Sequence, residues 1–167
     1  MKSIEWKWGL TIGAAGFVWL VASWAFGFHR SGIGMIQVAA ALGMAITFVL
    51  YALAMHALMR RETEVSLLEG LRSGALIGVV SAILAVAGQY VYFHWINPGW
   101  TTYMVGETRK HYTDMGLEEA RLAEIAEGAR ITFGFSSYAT QAAVGSIVQG
   151  VLFSLLSVTF LKWRSHR

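Results

Sequence analysis

The chain has 167 residues, 56% of them hydrophobic and only 14% charged, with a formal net charge of +3 at pH 7. In a soluble domain such basicity would suggest nucleic acid, but here Lys and Arg gather at the ends of apolar stretches, where anionic headgroups attract them, so no nucleic-acid partner is expected. The absence of cysteine removes disulfides, thiolate nucleophiles, iron–sulfur ligation and Cys-containing zinc sites together.

Four stretches without a charged residue, 8–28, 31–59, 73–96 and 131–161, follow one another along the chain. Each is long enough to cross a hydrocarbon core of about 30 Å, for which about 20 residues suffice. A bilayer offers the backbone no water, and these stretches lack the alternating polarity of barrel strands, so they are predicted to be helices. The spans are placed at 8–28, 34–59, 73–96 and 136–161, in a single transmembrane domain over residues 1–167. The first is kept as a span rather than a signal peptide: it is too long for a signal core, has no convincing Ala-x-Ala site, and precedes three further spans.

The connections differ in kind. His29-Arg30-Ser31-Gly32 is so short that spans one and two must form an antiparallel hairpin. Between spans two and three, Arg60 and Arg61 complement the helix dipole, and Glu62, Glu64 and Glu69 read with them as a solvated, self-neutralising loop up to Arg72. The third connection, 98–130, is predicted to be an extramembrane amphipathic helical hairpin. Asn97-Pro98 reads as a cap followed by a first-turn proline, and Trp100, Tyr103, Met104, His111, Tyr112 and Met115 recur at helical spacings. Gly116 then breaks the helix, and a second begins with Glu118 and Glu119 in its first turn, presenting Leu117, Leu122, Ile125 and Ala126.

Basic residues set the orientation. With the N-terminus in the cytoplasm, Lys2, Lys7, Arg60, Arg61, Arg72, Lys162, Arg164 and Arg167 lie inside, and Arg30, Arg109, Lys110, Arg121 and Arg130 outside. Aromatic belts agree, with Trp6, Trp8 and Trp163 inside and Trp24, Trp95, Trp100 and Tyr103 outside. Both termini are therefore expected in the cytoplasm.

The order of spans, the phrase Phe93-His94-Trp95-Ile96-Asn97-Pro98, the central Met115-Gly116-Leu117-Glu118-Glu119 of the excursion from Tyr103 to Gly128, and the short basic tail together resemble one bacterial membrane family, called domain of unknown function 4199. The resemblance covers nearly the whole chain. It departs at Arg109, Lys110 and His111, which make this cap richer in basic residues. It implies a four-span fold and topology in a bacterial inner membrane, and carries no established activity.

Several residues invite a functional reading. Gly70, Gly74, Gly78 and Ala82, and Ala142, Ser146, Gly150 and Ser154, repeat every fourth position, which lets helices approach closely. His56 and His94 are the only plausible axial ligands for haem or a chlorophyll-type pigment, and Ala52-x-x-x-His56 is similar to the antenna-polypeptide pattern; ordinary interfacial hydrogen bonding accounts for both, and a metal site shared between them is excluded because they fall on opposite sides of the membrane. Gln37, Gln89 and Gln141 sit at similar depth and read as interhelical glue or a polar vestibule. No acidic or basic residue lies inside a span, which argues against an ion-coupled transporter. No nucleophile elbow, zinc helix or phosphate loop is present, so no enzyme is expected.

These observations lead to an all-α four-helix transmembrane bundle with a helical hairpin between helices three and four. It is expected to be a non-enzymatic structural or accessory subunit of a larger membrane assembly, in contact with lipid and with other subunits or its own copies. Trp100, Tyr103, His111 and Tyr112 are the expected partner-docking surface. A small-solute transporter or channel is the alternative, and a pigment- or haem-associated subunit of an electron-transfer or photosynthetic complex the weaker one. The topology is testable with reporter fusions, which should place residue 65 and the C-terminus in the cytoplasm and residue 115 outside; a cytoplasmic signal at residue 115 would overturn it.

Overall fold

The computed structural model describes residues 3–61 and 65–165. Lys2, Glu62, Glu64, Arg167 and the side chain of Arg164, used in the charge reading, lie outside the described residues. Within them every regular element is helical: α1 (Ser3–Ala25), a 3-10 turn (Phe28–Arg30), α2 (Gly32–Met59), α3 (Leu67–Val91) continuing into one π-turn (Tyr92–Ile96), α4 (Trp100–Asp114), α5 (Glu119–Thr132) and α6 (Phe135–Ser165). Four of these, Ile4–Ala25, Gly32–Met59, Leu67–Ile96 and Phe135–Trp163, are long and apolar enough to cross a membrane. The chain is a membrane protein with an all-α bundle.

Two boundaries differ from the sequence reading. Helix α3 starts at Leu67 rather than at residue 73, because Ser66 Oγ accepts from Glu69 N–H at 3.1 Å while Glu69 Oε2 accepts from Ser66 N–H at 2.8 Å. This capping box satisfies donors that a helix start otherwise leaves open, so Glu69 closes a helix end instead of neutralising a loop, and Arg72 lies inside the helix. At the other end, Asn97 does not cap α4, which begins at Trp100 behind Gly99. The 3-10 turn between α1 and α2 is flanked by Gly27 and Gly32, whose φ of 83° and 84° suit only glycine well.

The spans form a ring in the order α1, α2, α6, α3. The seam between α3 and α6 is made by small residues. A Cβ on Gly74 would overlap the Ser154 side chain and the Gly150 carbonyl, one on Gly78 would lie 2.8 Å from the Ser146 carbonyl, and one on Gly70 would meet Val158. These contacts advance along α3 as they recede along α6, so the two helices run antiparallel with their backbones nearly touching. Helices α1 and α3 run parallel instead: Cβ atoms on Gly9, Gly13 and Gly88 would lie 2.5, 2.7 and 2.9 Å from Val80, Leu84 and Phe17. At the near end of this pair, buried Glu5 accepts from Ser73 Oγ at 3.0 Å. Helix α2 is held in its cap-side third, where Trp19 Nε1 donates to the Ala39 carbonyl at 2.9 Å, and lower down, where Tyr51 and Phe48 meet Phe153 edge-on.

The α4–α5 hairpin closes one end of the bundle, the cap end. Gly116, at φ 80°, turns the chain between its helices, and Leu122 and Ala129 are buried. Arg109 pairs with Glu119, Arg121 with Glu124 and Arg130 with Glu127, all well exposed. Such pairs add little stability, so the hairpin is held by its apolar side.

The seam gives a direct test. Gly74→Leu should destabilise the bundle at the upper end of the about 1–3 kcal/mol typical of overpacking, since backbone rather than side chain would have to move. Val79→Leu and Ile83→Leu, at positions 44% and 64% exposed, should stay within about 0.5 kcal/mol. Unfolding in mixed micelles reads the difference, and equal tolerance at all three would contradict the seam.

Candidate functional site

The cap end encloses a buried polar chain. The π-turn after Val91 is closed by Asn97 N–H donating to the Tyr92 carbonyl at 2.7 Å, and it leaves Tyr92 only 1% exposed. Single π-turns inside α-helices recur at functional sites. The Tyr92 hydroxyl accepts from Asn97 Nδ2 at 2.8 Å and lies 2.5 Å from His29 Nδ1; His29 Nε2 lies 3.1 Å from Ser23 Oγ, which in turn donates to the Leu20 carbonyl at 2.9 Å. One assignment satisfies every group: Tyr92 gives its proton to Nδ1, and Nε2–H is given to Ser23. His29 is then neutral. Burial agrees, holding its pKa below the usual 6.5. The same polarity keeps Ser23 from acting as a base-activated nucleophile, because it faces an N–H and spends its own proton on a carbonyl. Trp100 of α4 lies over this chain, 5.1 Å from the His29 ring centre and 6.2 Å from that of Tyr92.

Below the chain a cavity of about 390 Å³ opens in the cap-side half of the bundle. Its end is aromatic, made by His29, Tyr92, Trp100 and Tyr138; its walls are small and apolar, with Gly13, Ala39, Gly43, Ala85 and Gly88 among them. Among the described residues, no Asp, Glu, Lys or Arg lines it. Two carboxamides do, Gln89 from α3 and Gln149 from α6. Neither makes a hydrogen bond among the described residues, and Gln89 Oε1 is fully buried. The mouth is marked by Gly16 and Met44, which line the cavity yet are exposed, Met44 by 53%. Both lie near the middle of their spans, whereas Trp100, 2% exposed, closes the cap end. The cavity therefore opens toward lipid at mid-depth.

The residues named from sequence are distributed as follows. Gly70, Gly74, Gly78, Ser146, Gly150 and Ser154 meet across the α3–α6 seam, with buried Ala82 and half-buried Ala142 further along their helices. His56 is exposed near the end of α2, and His94 is exposed at the cap end, where it stacks on Tyr90 and its Nδ1–H donates to the Tyr90 carbonyl at 2.9 Å. Among the described residues no group of three or more His, Cys, Asp or Glu is placed to hold a metal. The docking surface needs correction. Trp100 is buried and Tyr103 accepts from the Gly32 N–H at 3.0 Å, so both anchor the cap to its own bundle; His111 is exposed and meets half-buried Tyr112 edge-on. The three glutamines of similar depth do not meet either. Gln37 and Gln141 are exposed, Gln141 donating to Ser137 Oγ at 2.9 Å, because equal depth does not fix which face of a helix a residue occupies. His29, Tyr92 and Gln149, which sequence reasoning passed over, form the site with Gln89.

Over residues 7–162 the chain matches the family described as protein of unknown function (DUF4199). It belongs to that family. No curated protein and no solved structure matches it. The matched stretch takes in most of the first span, the second and third spans, the fourth up to Lys162, the cap and every residue lining the cavity, so in this DUF4199 chain the site lies within the family's shared region.

The His29 chain has a pH signature. Because its pKa is lowered by folding, His29 costs nothing above about pH 6.5; as pH falls below that, the unfolded state takes up a proton that the folded state resists, and stability declines toward the lowered value. The thermal midpoint should therefore drop between pH 7 and 5 more steeply for the native chain than for His29→Gln, and parallel profiles would contradict a neutral His29.

Proposed function

We propose that this protein is a non-enzymatic binding protein of the membrane interior, whose cavity takes up a small uncharged molecule from the lipid phase. The observation that carries the reading is the mouth at mid-depth beneath a closed aromatic end. Sites of about 300–1,000 Å³ lined by apolar and aromatic groups with a few convergent polar ones are the usual form of small-molecule sites, and spaces between bundle helices are a common place for them. The lack of charge in the lining favours a neutral occupant over an ion, and the sealed cap end favours binding over conduction. The accessory role inferred from aromatic anchors on the cap loses its main argument once Trp100 and Tyr103 face inward, although the bound molecule could be presented to a neighbouring subunit.

Filling the cavity tests this. A Cβ on Gly16 meets nothing within 4 Å, so the backbone there accepts a side chain and Gly16→Phe is chosen to put a ring at the mouth. A photoactivatable apolar probe dissolved in the bilayer should label the lining of the native chain saturably, and Gly16→Phe should reduce that labelling at least tenfold while lipid-facing labelling stays unchanged. Unchanged labelling of the lining would refute the reading.

A further inference from the structure

The two unpartnered carboxamides say more about the occupant. A carboxamide left without a hydrogen bond in hydrocarbon is costly, because lipid offers it neither donor nor acceptor. Some hydroxyls in the spans bond within their own helix, as Thr47 does to the Gly43 carbonyl at 2.9 Å and Ser81 to the Gly78 carbonyl at 3.0 Å, and the hydroxyls of Tyr51, Ser154 and Ser157 are buried without a partner away from the cavity. Gln89 and Gln149 are left open, and both face the same cavity from different helices. Taking a helical rise of 1.5 Å per residue, Gln89 lies about 10 Å from the cap-side end of its span and Gln149 about 20 Å, so one sits near the aromatic end and the other near the depth of the mouth.

Resting on the binding reading above, we infer that the cavity holds a neutral single-chain amphiphile bearing a hydroxyl group, recognised by the buried carboxamide of Gln89 near the aromatic end. A hydroxyl fits because the buried Gln89 Oε1 needs a donor while each amide NH₂ offers donors, and a hydroxyl both gives and accepts. A carboxylate, phosphate or ammonium does not fit, since no ionised residue lines the cavity and His29 is already neutral within its own chain of bonds. The volume, at the lower end for small-molecule sites, admits one chain and not two. Nor does a phospholipid of the surrounding bilayer supply the group, because its charged head holds its ester oxygens at the interface, far above the mouth.

The test uses the full chain in phosphatidylcholine nanodiscs and three diazirine probes of matched chain length: a primary alcohol, an alkane and a carboxylic acid at pH 8. The alcohol should label the cavity lining saturably and about tenfold more tightly than the alkane, which corresponds to about 1.4 kcal/mol, and the carboxylate should not compete. Gln89→Leu should bring the alcohol down to the level of the alkane while the alkane still binds, showing that the cavity persists. If alcohol and alkane bind the native chain equally, or if the carboxylate binds best, the hydroxyl inference is overturned and the binding reading stands. If no probe labels the lining saturably, both fall.

Discussion

The close approach of α3 and α6 is the contact on which the rest of the bundle depends. Lipid tails are as apolar as leucine, so burying side chains gives spans little reason to associate, and attraction must come from dense backbone packing. Gly74 and Gly150 let the two backbones come together where any side chain would intrude. Once α3 is fixed against α6 on one side and against α1, through Gly9 and Gly13, on the other, α2 is left to close the ring. It does so with fewer and bulkier contacts, Trp19 beneath Ala39 and Phe153 against Tyr51 and Phe48. The cavity lies where that looser closure leaves space beside small residues of α1, α2 and α3.

The cap is tied to this arrangement by aromatic and polar contacts rather than by its surface charges. Tyr103 receives the Gly32 N–H at the start of α2, Thr101 donates to the Phe133 carbonyl at 3.0 Å ahead of α6, and Trp100 sits over His29 and Tyr92. One helix thus touches the beginnings of two spans and the end of a third. A neutral His29 is part of the same device: a charge buried beneath Trp100 would lack a counter-ion within its hydrogen-bonded chain, and the Tyr92 proton would lose its acceptor.

What the sequence disclosed follows from which constraints lipid imposes. Uncharged length reports spans because a charge in hydrocarbon is expensive, and the four-residue repeat of Gly70, Gly74 and Gly78 reports a packing face because few other arrangements use it. Scanning for uncharged runs hid the start of α3, since Arg72 interrupts the run, although Ser66 and Glu69 stand at capping-box spacing. His29 was read as a turn residue beside Arg30, and nothing local announces that a turn residue will be drawn under Trp100. The π-turn at Tyr92 has no composition signal either. Aromatic residues at interfacial depth read equally well as anchors for lipid, for a partner or for the chain's own mouth, and only the ring order of the spans decides for Trp100.

The contrast between the seam and the cavity bears most directly on function. Both are built from glycine and alanine, yet in one the small residues admit a neighbouring backbone, and in the other Gly13, Gly43 and Gly88 admit only single side chains and leave a volume beside them open. Packing alone would be better served by larger residues at Ala85 or Gly16, where space is open, and by apolar ones at Gln89 and Gln149. Polar groups left unpaired in a membrane work against stability, and stability gives no reason to pair them with an unfilled volume. An occupant that fills the volume and bonds the Gln89 carboxamide removes both costs together, which is why the two features are read as one site.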